Sequence, residues 1–571
     1  MKKYNYLIAI FSIFLIVGCG GGSTSSYNNY ENDSSFDSGN NDSGNNDSGG
    51  VDNQNNKSGI YPKSQKVIDI NSSDVEIKTI SKTSDSKITL NINYPKDIYV
   101  VVSSHFDNQD VSINSSNSNN NFNKLSKEVQ SVDTNAKLPK NVLKFRANVH
   151  KLLHKQPVKE KFHKFSKSID DIQEGSSTFD FCTNMDDSYL CSQSVSATAR
   201  KVVKNIQTKW GEKNLIIWVA DDEYDDGYYS SGTINQEMVD NLANQFLQNS
   251  DDSAFDDDIY DWDSNIFGQE WGDDAKNIDP NLIANNDTIE ILVYNMHTQG
   301  LAGYFWPKDN FIKSYVPASN EKIMFYVNSQ LYAKDAKETF TTLAHEFQHM
   351  IHFYQRDVKL NIKDPIWFNE MLSEAAEDLL AVKLKHKGPR NVDYTDGSAG
   401  SPGNNKGRYP NFNKYDYASL TNWYDSVINY SIVSSFGAYL IRNYNGAKVL
   451  HDMMYSEYKG KDAVVDATGV KDFNILLNRW GAGVVLSDRD DLDSSKPRYN
   501  FGDFIISSFG GIDYKIGSIN FFNYIPQPLF KNSETLDKDA NLYYKVGENL
   551  SGKVNLNISI PKGGDITIIA K

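Results

Sequence analysis

The spacing of apolar positions changes several times along this chain, and each change marks a new kind of element. Between 61 and 105 the runs KVIDI, VEIKTI, KITLNINY and DIYVVVSS alternate, or stay apolar, between Ser, Asp and Pro, the pattern of strands. They predict a small β-rich domain over 59–112. Apolar residues at Val142, Leu143, Phe145, Val149, Leu152 and Leu153 then follow a helical spacing inside a linker over 113–175. From Thr178 the pattern mixes: a helix over 194–209, a strand over 215–220, a helix over 236–248 and strands over 289–294 and 322–328. A long helix carrying Phe340, Leu343, Phe347, Met350, Ile351 and Tyr354 comes next, and further helices are expected over 367–382, 430–443 and 447–455. From 500 to 571 short apolar runs are broken by Gly and Pro. The order predicts an α+β fold, with a central domain over 176–490 in which a mixed sheet leads into a helical part. The tail over 491–571 reads as a second, separate β-rich domain.

The start of the chain changes the picture. Residues 1–18 read as an export signal, with Lys2 and Lys3, an apolar run over 7–17, and Gly18 ahead of Cys19. Ile16-Val17-Gly18-Cys19 resembles the bacterial lipobox, in which the cysteine is acylated and becomes the mature N-terminus. Cys19 is then a lipid anchor, and the chain is expected at the cell envelope on the exported side of a membrane. The stretch 19–58 is Gly, Ser, Asn and Asp with the tandem unit DSGNN, a composition too polar to offset its ordering entropy, so it reads as a tether.

A formal charge of −16 argues against nucleic acid as a partner. In an exported chain the remaining pair, Cys182 and Cys191, is expected to form a local disulfide. One stretch runs against the acidic balance: residues 137–167 hold ten Lys or Arg against Glu160. Three readings of it stay open, namely an arm that binds an anionic surface, a propeptide arm lying on the acidic catalytic domain, and a solvated linker helix.

The chemistry lies in TFTTLAHEFQHMIHFYQRD. His345 and His349 stand four apart on one helix face, a spacing at which two imidazoles converge on one tetrahedral metal, and Glu346 sits one step round the helix beside it. A third ligand is needed. About twenty residues on, after an Asp364-Pro365 turn, WFNEMLSEAAED begins a second helix that can return Glu370 to the metal. Glu374, one turn further, is expected to accept the second ring proton of a ligating histidine and so set its tautomer. His352 is not expected to bind the ion: a further helical turn adds about 5 Å of rise, so an unbroken helix cannot bring it to the same point as His345 and His349.

These two segments resemble the glutamate-zincin clan, and within it the hyicolysin family of bacterial zinc metallopeptidases. The similarity extends through IIWVADD, FDDDIYDWDSNIFGQEWG, IEILVYNM and GYFWPKDNF to SSFGAYLIRNY, covering roughly 180–455. It implies one catalytic Zn2+ held by His345, His349 and Glu370, and Glu346 as the general base on the water that the zinc activates. It also implies protein or peptide substrates. Relatives often have Tyr where this chain has Phe436, so the group that would stabilise an oxyanion stays open among Tyr430, Tyr439, His386 and His451. Asp261-x-Asp263-x-Asn265 begins like a calcium loop, but Ile266 and Gly272 stand where Gly and Glu are required, so calcium is weakly supported. The competing reading is a surface adhesion lipoprotein with an inactive zincin-like domain. The intact Glu346 argues against it.

Overall fold

Strand-forming runs at the two ends of the chain pair with each other, in place of the two separate β domains the sequence suggests. The computed structural model describes residues 61–116, 138–158, 168–227, 232–248, 256–298, 300–424, 426–489, 492, 501 and 505–571. The signal, Cys19 and the tether lie outside the described residues.

The first strands are β1 (Ser64–Ile70), β2 (Glu76–Thr83), β3 (Ser86–Ser104) and β4 (Gln109–Ser115). A helix, α1 (Lys140–Asn148), follows in the basic stretch, and then come β5 (Thr178–Met185), β6 (Cys191–Thr208) and β7 (Gly211–Ala220). Next are α2 (Gln236–Ala243), α3 (Ile259–Phe267), α4 (Ala275–Ile278), β8 (Thr288–Tyr294), β9 (Gly303–Phe305) and β10 (Ile323–Asn328). The helical part holds α5 (Ser329–Lys334), α6 (Ala336–His352), α7 (Ile366–Leu380), α8 (Tyr409–Lys414) and α9 (Val427–Asn443). It is completed by α10 (Ala447–Tyr455), α11 (Lys461–Thr468) and α12 (Phe473–Val485). The tail forms β11 (Ile505–Phe509), β12 (Ile512–Ile516), β13 (Ser533–Leu536), β14 (Asn541–Ser559) and β15 (Gly564–Ala570). Among the described residues no helix is long and apolar enough to cross a membrane.

The terminal sheet runs β13-β4-β14-β3-β15-β2, with β1 parallel to β3. β14 lies between β3 and β4, and β15 lies between β3 and β2, so strands from the tail separate β2, β3 and β4 from one another. The physical reason is edge pairing. β1–β4 alone would leave long unpaired edges, and the alternating residues of β3 and β14 (Ile88, Leu90, Val554 and Leu556) bury one shared apolar face. Asp565 ties this sheet to α12 by accepting from the Asn478 side chain at 2.6 Å, and it accepts from the Lys82 amide at 2.7 Å.

The second sheet runs β5-β6-β7-β8-β10-β9. Its β6 corrects the helix expected over 194–209. The Ala, Arg and Lys content of that stretch favours a helix, but Val195, Ala197 and Ala199 keep period two, and pairing with β5 and the apolar β7 decides the outcome. Cys182 and Cys191, with Cα atoms 5.7 Å apart, form the expected disulfide between β5 and β6. β10 is not an edge: it is parallel to β8 and antiparallel to β9, and the short β9 closes that side of the sheet. Gly303 permits this pairing, because a Cβ there would come within 2.7 Å of the Tyr326 carbonyl oxygen.

The sheet positions α6 through aromatic contacts, with Phe347 packed edge-on to Phe325 and Phe246. α6 begins where the Asp335 carboxylate accepts from the Glu338 amide at 3.2 Å. After His352 it loosens into a π-turn over Phe353–Lys359, and Arg356, fully buried, holds the reversal by donating to Asp364 at 2.7 Å and to the Tyr458 carbonyl at 2.6 Å. Pro365 then caps the start of α7, which packs back against α6.

Candidate metal centre

Two antiparallel helices supply three donor atoms aimed at one point. His345 Nε2 lies 3.3 Å from Glu370 Oε2, and His349 Nε2 lies 3.4 Å from the same oxygen. All three side chains are buried, and His349 Nε2 has no hydrogen-bond partner among the described residues. Ligands held about 2.0–2.1 Å from a tetrahedral ion stand about 3.3–3.4 Å from one another, and the two distances from Glu370 Oε2 fit that spacing. The donor set, two imidazoles and a carboxylate, suits the same ion.

The far nitrogens of both rings are fixed. His345 Nδ1 lies 2.8 Å from Glu377 Oε1, and His349 Nδ1 lies 3.0 Å from Asn369 Oδ1 and 3.3 Å from the Ser373 hydroxyl. Acceptors at the Nδ1 positions place a proton there and turn the lone pair of each Nε2 toward Glu370. Burial by itself would raise the Glu370 carboxyl; when protonated at Nε2, the two imidazoles outweigh it and hold the group well below the usual carboxylate range. An ionised carboxylate suits a cation as a third ligand.

Glu374, expected to accept the second ring proton of a ligating histidine, lies with Glu377 within 4.8 Å of His345 but accepts from Arg408 instead. Arg408 takes both of its oxygens, with Nε at 2.9 Å. The hydrogen bond to His345 Nδ1 belongs to Glu377, and helix geometry explains why. Seven residues turn a helix by about 700°, within 20° of the Glu370 direction, whereas four residues overshoot by about 40°. That periodicity was present in the sequence and could have found Glu377. Asn369, adjacent to the ligand, carried no comparable signal.

His352 lies 3.2 Å from Asp364 and 3.4 Å from Asp357, away from the converging donors, in keeping with its exclusion as a ligand. α9 packs on α7 at Gly437, where a Cβ would meet the Met371 carbonyl and the Ala375 side chain, both at 3.2 Å. This close approach supports the helix that carries Glu370. Of the oxyanion candidates, Tyr430 packs edge-on against Trp423, a wall of the cleft. His386 pairs with Glu338 at 3.0 Å, His451 packs at a tilt against Tyr455 and Phe509, and Tyr439 stacks on Phe436.

The Asp-rich segment is corrected too. Residues 259–267 are the helix α3, whose start is capped by Asp258, so no calcium loop forms. Asp257, Asp258 and Asp261 do lie within 4.8 Å of one another. Burial first, and neighbouring carboxylates second, push Asp258 well up and Asp261 to about 7.

Glu346 is buried on the same helix face as the ligands, and its Oε2 accepts from the Phe305 amide of β9 at 2.9 Å. It also accepts from Arg146 of α1 at 2.7 Å. Beside these groups a cavity of 590 Å3 opens between α1 and the ends of α6 and α7, with His349 and Glu370 in its wall.

This donor set, a buried carboxylate beside it and the helical pair that carries them define a domain of the metallopeptidase class. Residues 195–472, slightly less than half of the chain, match the family model described as Peptidase M30. Over 278 residues the chain is 23% identical to the neutral metalloprotease ShpI of Staphylococcus hyicus, which covers 45% of this chain and 52% of that protein. The chain thus spans about half the length of this curated relative. β1–β4, α1 and β11–β15 lie outside the family match.

Proposed function

We propose that the protein is an exported zinc endopeptidase, held at the cell envelope by acylated Cys19, that hydrolyses peptide bonds of extracellular proteins or peptides. The convergence of His345 Nε2, His349 Nε2 and Glu370 Oε2 at 3.3 and 3.4 Å carries this reading. When bound, zinc would supply Lewis-acid activation of a water and of the scissile carbonyl. Glu377 and Asn369 hold the two imidazoles in the tautomer that leaves each Nε2 to the metal. Glu346 takes the proton of the attacking water and returns it to the leaving nitrogen. β9, at the free side of the sheet, offers main-chain groups with which an extended substrate could pair.

Digestion of casein by the purified chain, with and without a chelator, tests the activity. Glu346→Gln is expected to abolish chelator-sensitive cleavage while zinc content stays near one ion per chain, and full activity in that variant would sink the mechanism. Cys19→Ser should move the protein out of the membrane fraction without affecting cleavage. Fatty acid still incorporated into that variant would refute the anchor.

A further inference from the structure

The segment whose role the sequence left open lies across the candidate site. Arg146, in the last turn of α1, reaches two groups at once: Nη2 donates to Glu346 Oε2 at 2.7 Å and to the Phe305 carbonyl at 2.6 Å, and Nε donates to that carbonyl at 3.1 Å. One partner is the carboxylate proposed as the base. The other is the main-chain acceptor of β9 that would otherwise receive an N–H of an extended substrate.

The rest of the segment is fastened on both sides of this contact. Val142, Phe145 and Val149 are buried, with Phe145 edge-on to Tyr189 and Phe311. Asn141 donates to the Met185 carbonyl at 2.6 Å, His150 pairs with Asp357, and the Tyr315 hydroxyl donates to the Leu152 carbonyl at 2.8 Å. Leu143, Ala147 and His150 face His349 and Glu370 across the 590 Å3 cavity. A substrate chain entering from this side meets the segment before it meets the metal site.

We propose that residues 138–154 are an inhibitory arm built into the chain, which keeps the site latent by seating a cationic side chain on Glu346 and on the edge of β9. The inference rests on the peptidase reading above. With Arg146 in place, Glu346 Oε2 is engaged by a guanidinium and an amide and is not open to a water, and the Phe305 carbonyl is closed to substrate. The apolar anchors give the arm its affinity. The charge gives it its register, because Arg146 faces the one carboxylate on α6 that the chemistry needs free. Activation then requires the arm to leave, by cleavage or by competition from a substrate that offers its own donors to β9.

Two readouts separate this proposal from the peptidase reading. The first is hydrolysis of a fluorogenic peptide by the zinc-loaded full chain. Arg146→Ala and His150→Ala are expected to raise kcat/KM about tenfold or more if the cleft is open no more than about one tenth of the time. A synthetic peptide of residues 138–154 should restore inhibition of the Arg146→Ala variant, and the same peptide with Ala in place of Arg146 should do so poorly. The second is calorimetric titration with a peptide hydroxamate, which needs no turnover. Its affinity should rise by a similar factor in both variants, with faster hydrogen exchange over 140–151 when it binds. Unchanged hydroxamate affinity in His150→Ala and in a correctly folded Arg146→Ala would overturn the arm. Tighter hydroxamate binding with no cleavage by any form would keep the arm and refute the peptidase.

Discussion

Glu377 Oε1 stands 2.8 Å from Nδ1 of His345, with both side chains buried, so a carboxylate on α7 determines which nitrogen of a candidate ligand faces the metal. Loss of such an outer partner typically lowers metal affinity by about 10–100-fold. Glu377→Ala is therefore expected to weaken zinc binding by that factor. Glu374→Ala should leave zinc affinity within a few-fold but cost about 3–5 kcal/mol of stability, because it takes from the buried Arg408 the carboxylate that accepts from its Nε and Nη2. Competition titration with a zinc indicator and thermal melts of both variants check the contrast, and the reverse pattern would return the histidine partner to Glu374.

Glu370 and His352 are both buried near the end of α6, but they face different groups. Glu370→Ala removes the atom toward which both Nε2 atoms point and should abolish stoichiometric zinc. His352→Ala should keep the metal and lower the melting temperature, since it takes a ring away from Asp364 and Asp357. Zinc retained by Glu370→Ala and lost by His352→Ala would invert the assignment.

The interleaving of β14 and β15 among the N-terminal strands has a mechanical consequence. If a specific protease site is placed between 117 and 137 and cut, the N-terminal fragment should stay bound to the rest of the chain. β3 alone pairs with β14 and β15 over most of its length. Co-elution of the two fragments in gel filtration is expected under native conditions, with separation only in denaturant. Spontaneous separation after cutting would mean the terminal sheet contributes less than its pairing implies.

Acid should loosen the same sheet. Burial alone would raise the Asp565 carboxyl, but the His105 ring, the Asn478 amide and the Lys82 backbone N–H outweigh it and hold the group below its ordinary 3.8. A carboxyl whose folded value is depressed contributes stability that is present above the unfolded value and is lost as pH falls through the folded one. The melting temperature of the wild type should therefore drop more steeply below about pH 4 than that of Asp565→Asn. Parallel curves for the two proteins would remove Asp565 as a source of the acid response.

What the sequence determined by itself is local. The pair His345 and His349, the place of Glu346 beside them, the Asp364-Pro365 reversal and the return of Glu370 follow from helical spacing over some 25 residues, because short-range periodicity dictates which side chains share a face. Most strands were legible for the same reason. Tertiary structure decided what depends on partners far along the chain. The stretch 194–209 became a strand because β5 and β7 flank it, and the two terminal β regions became one sheet because each held the edges the other lacked. Glu374 went to Arg408 and Glu377 to His345 because α8 and α6 stand where they do against α7. The basic stretch after residue 137 had three open readings, since charge and amphipathicity say that a helix will dock but not on what. The fold brought Arg146 across 200 residues of sequence to Glu346, a contact that no local pattern specifies.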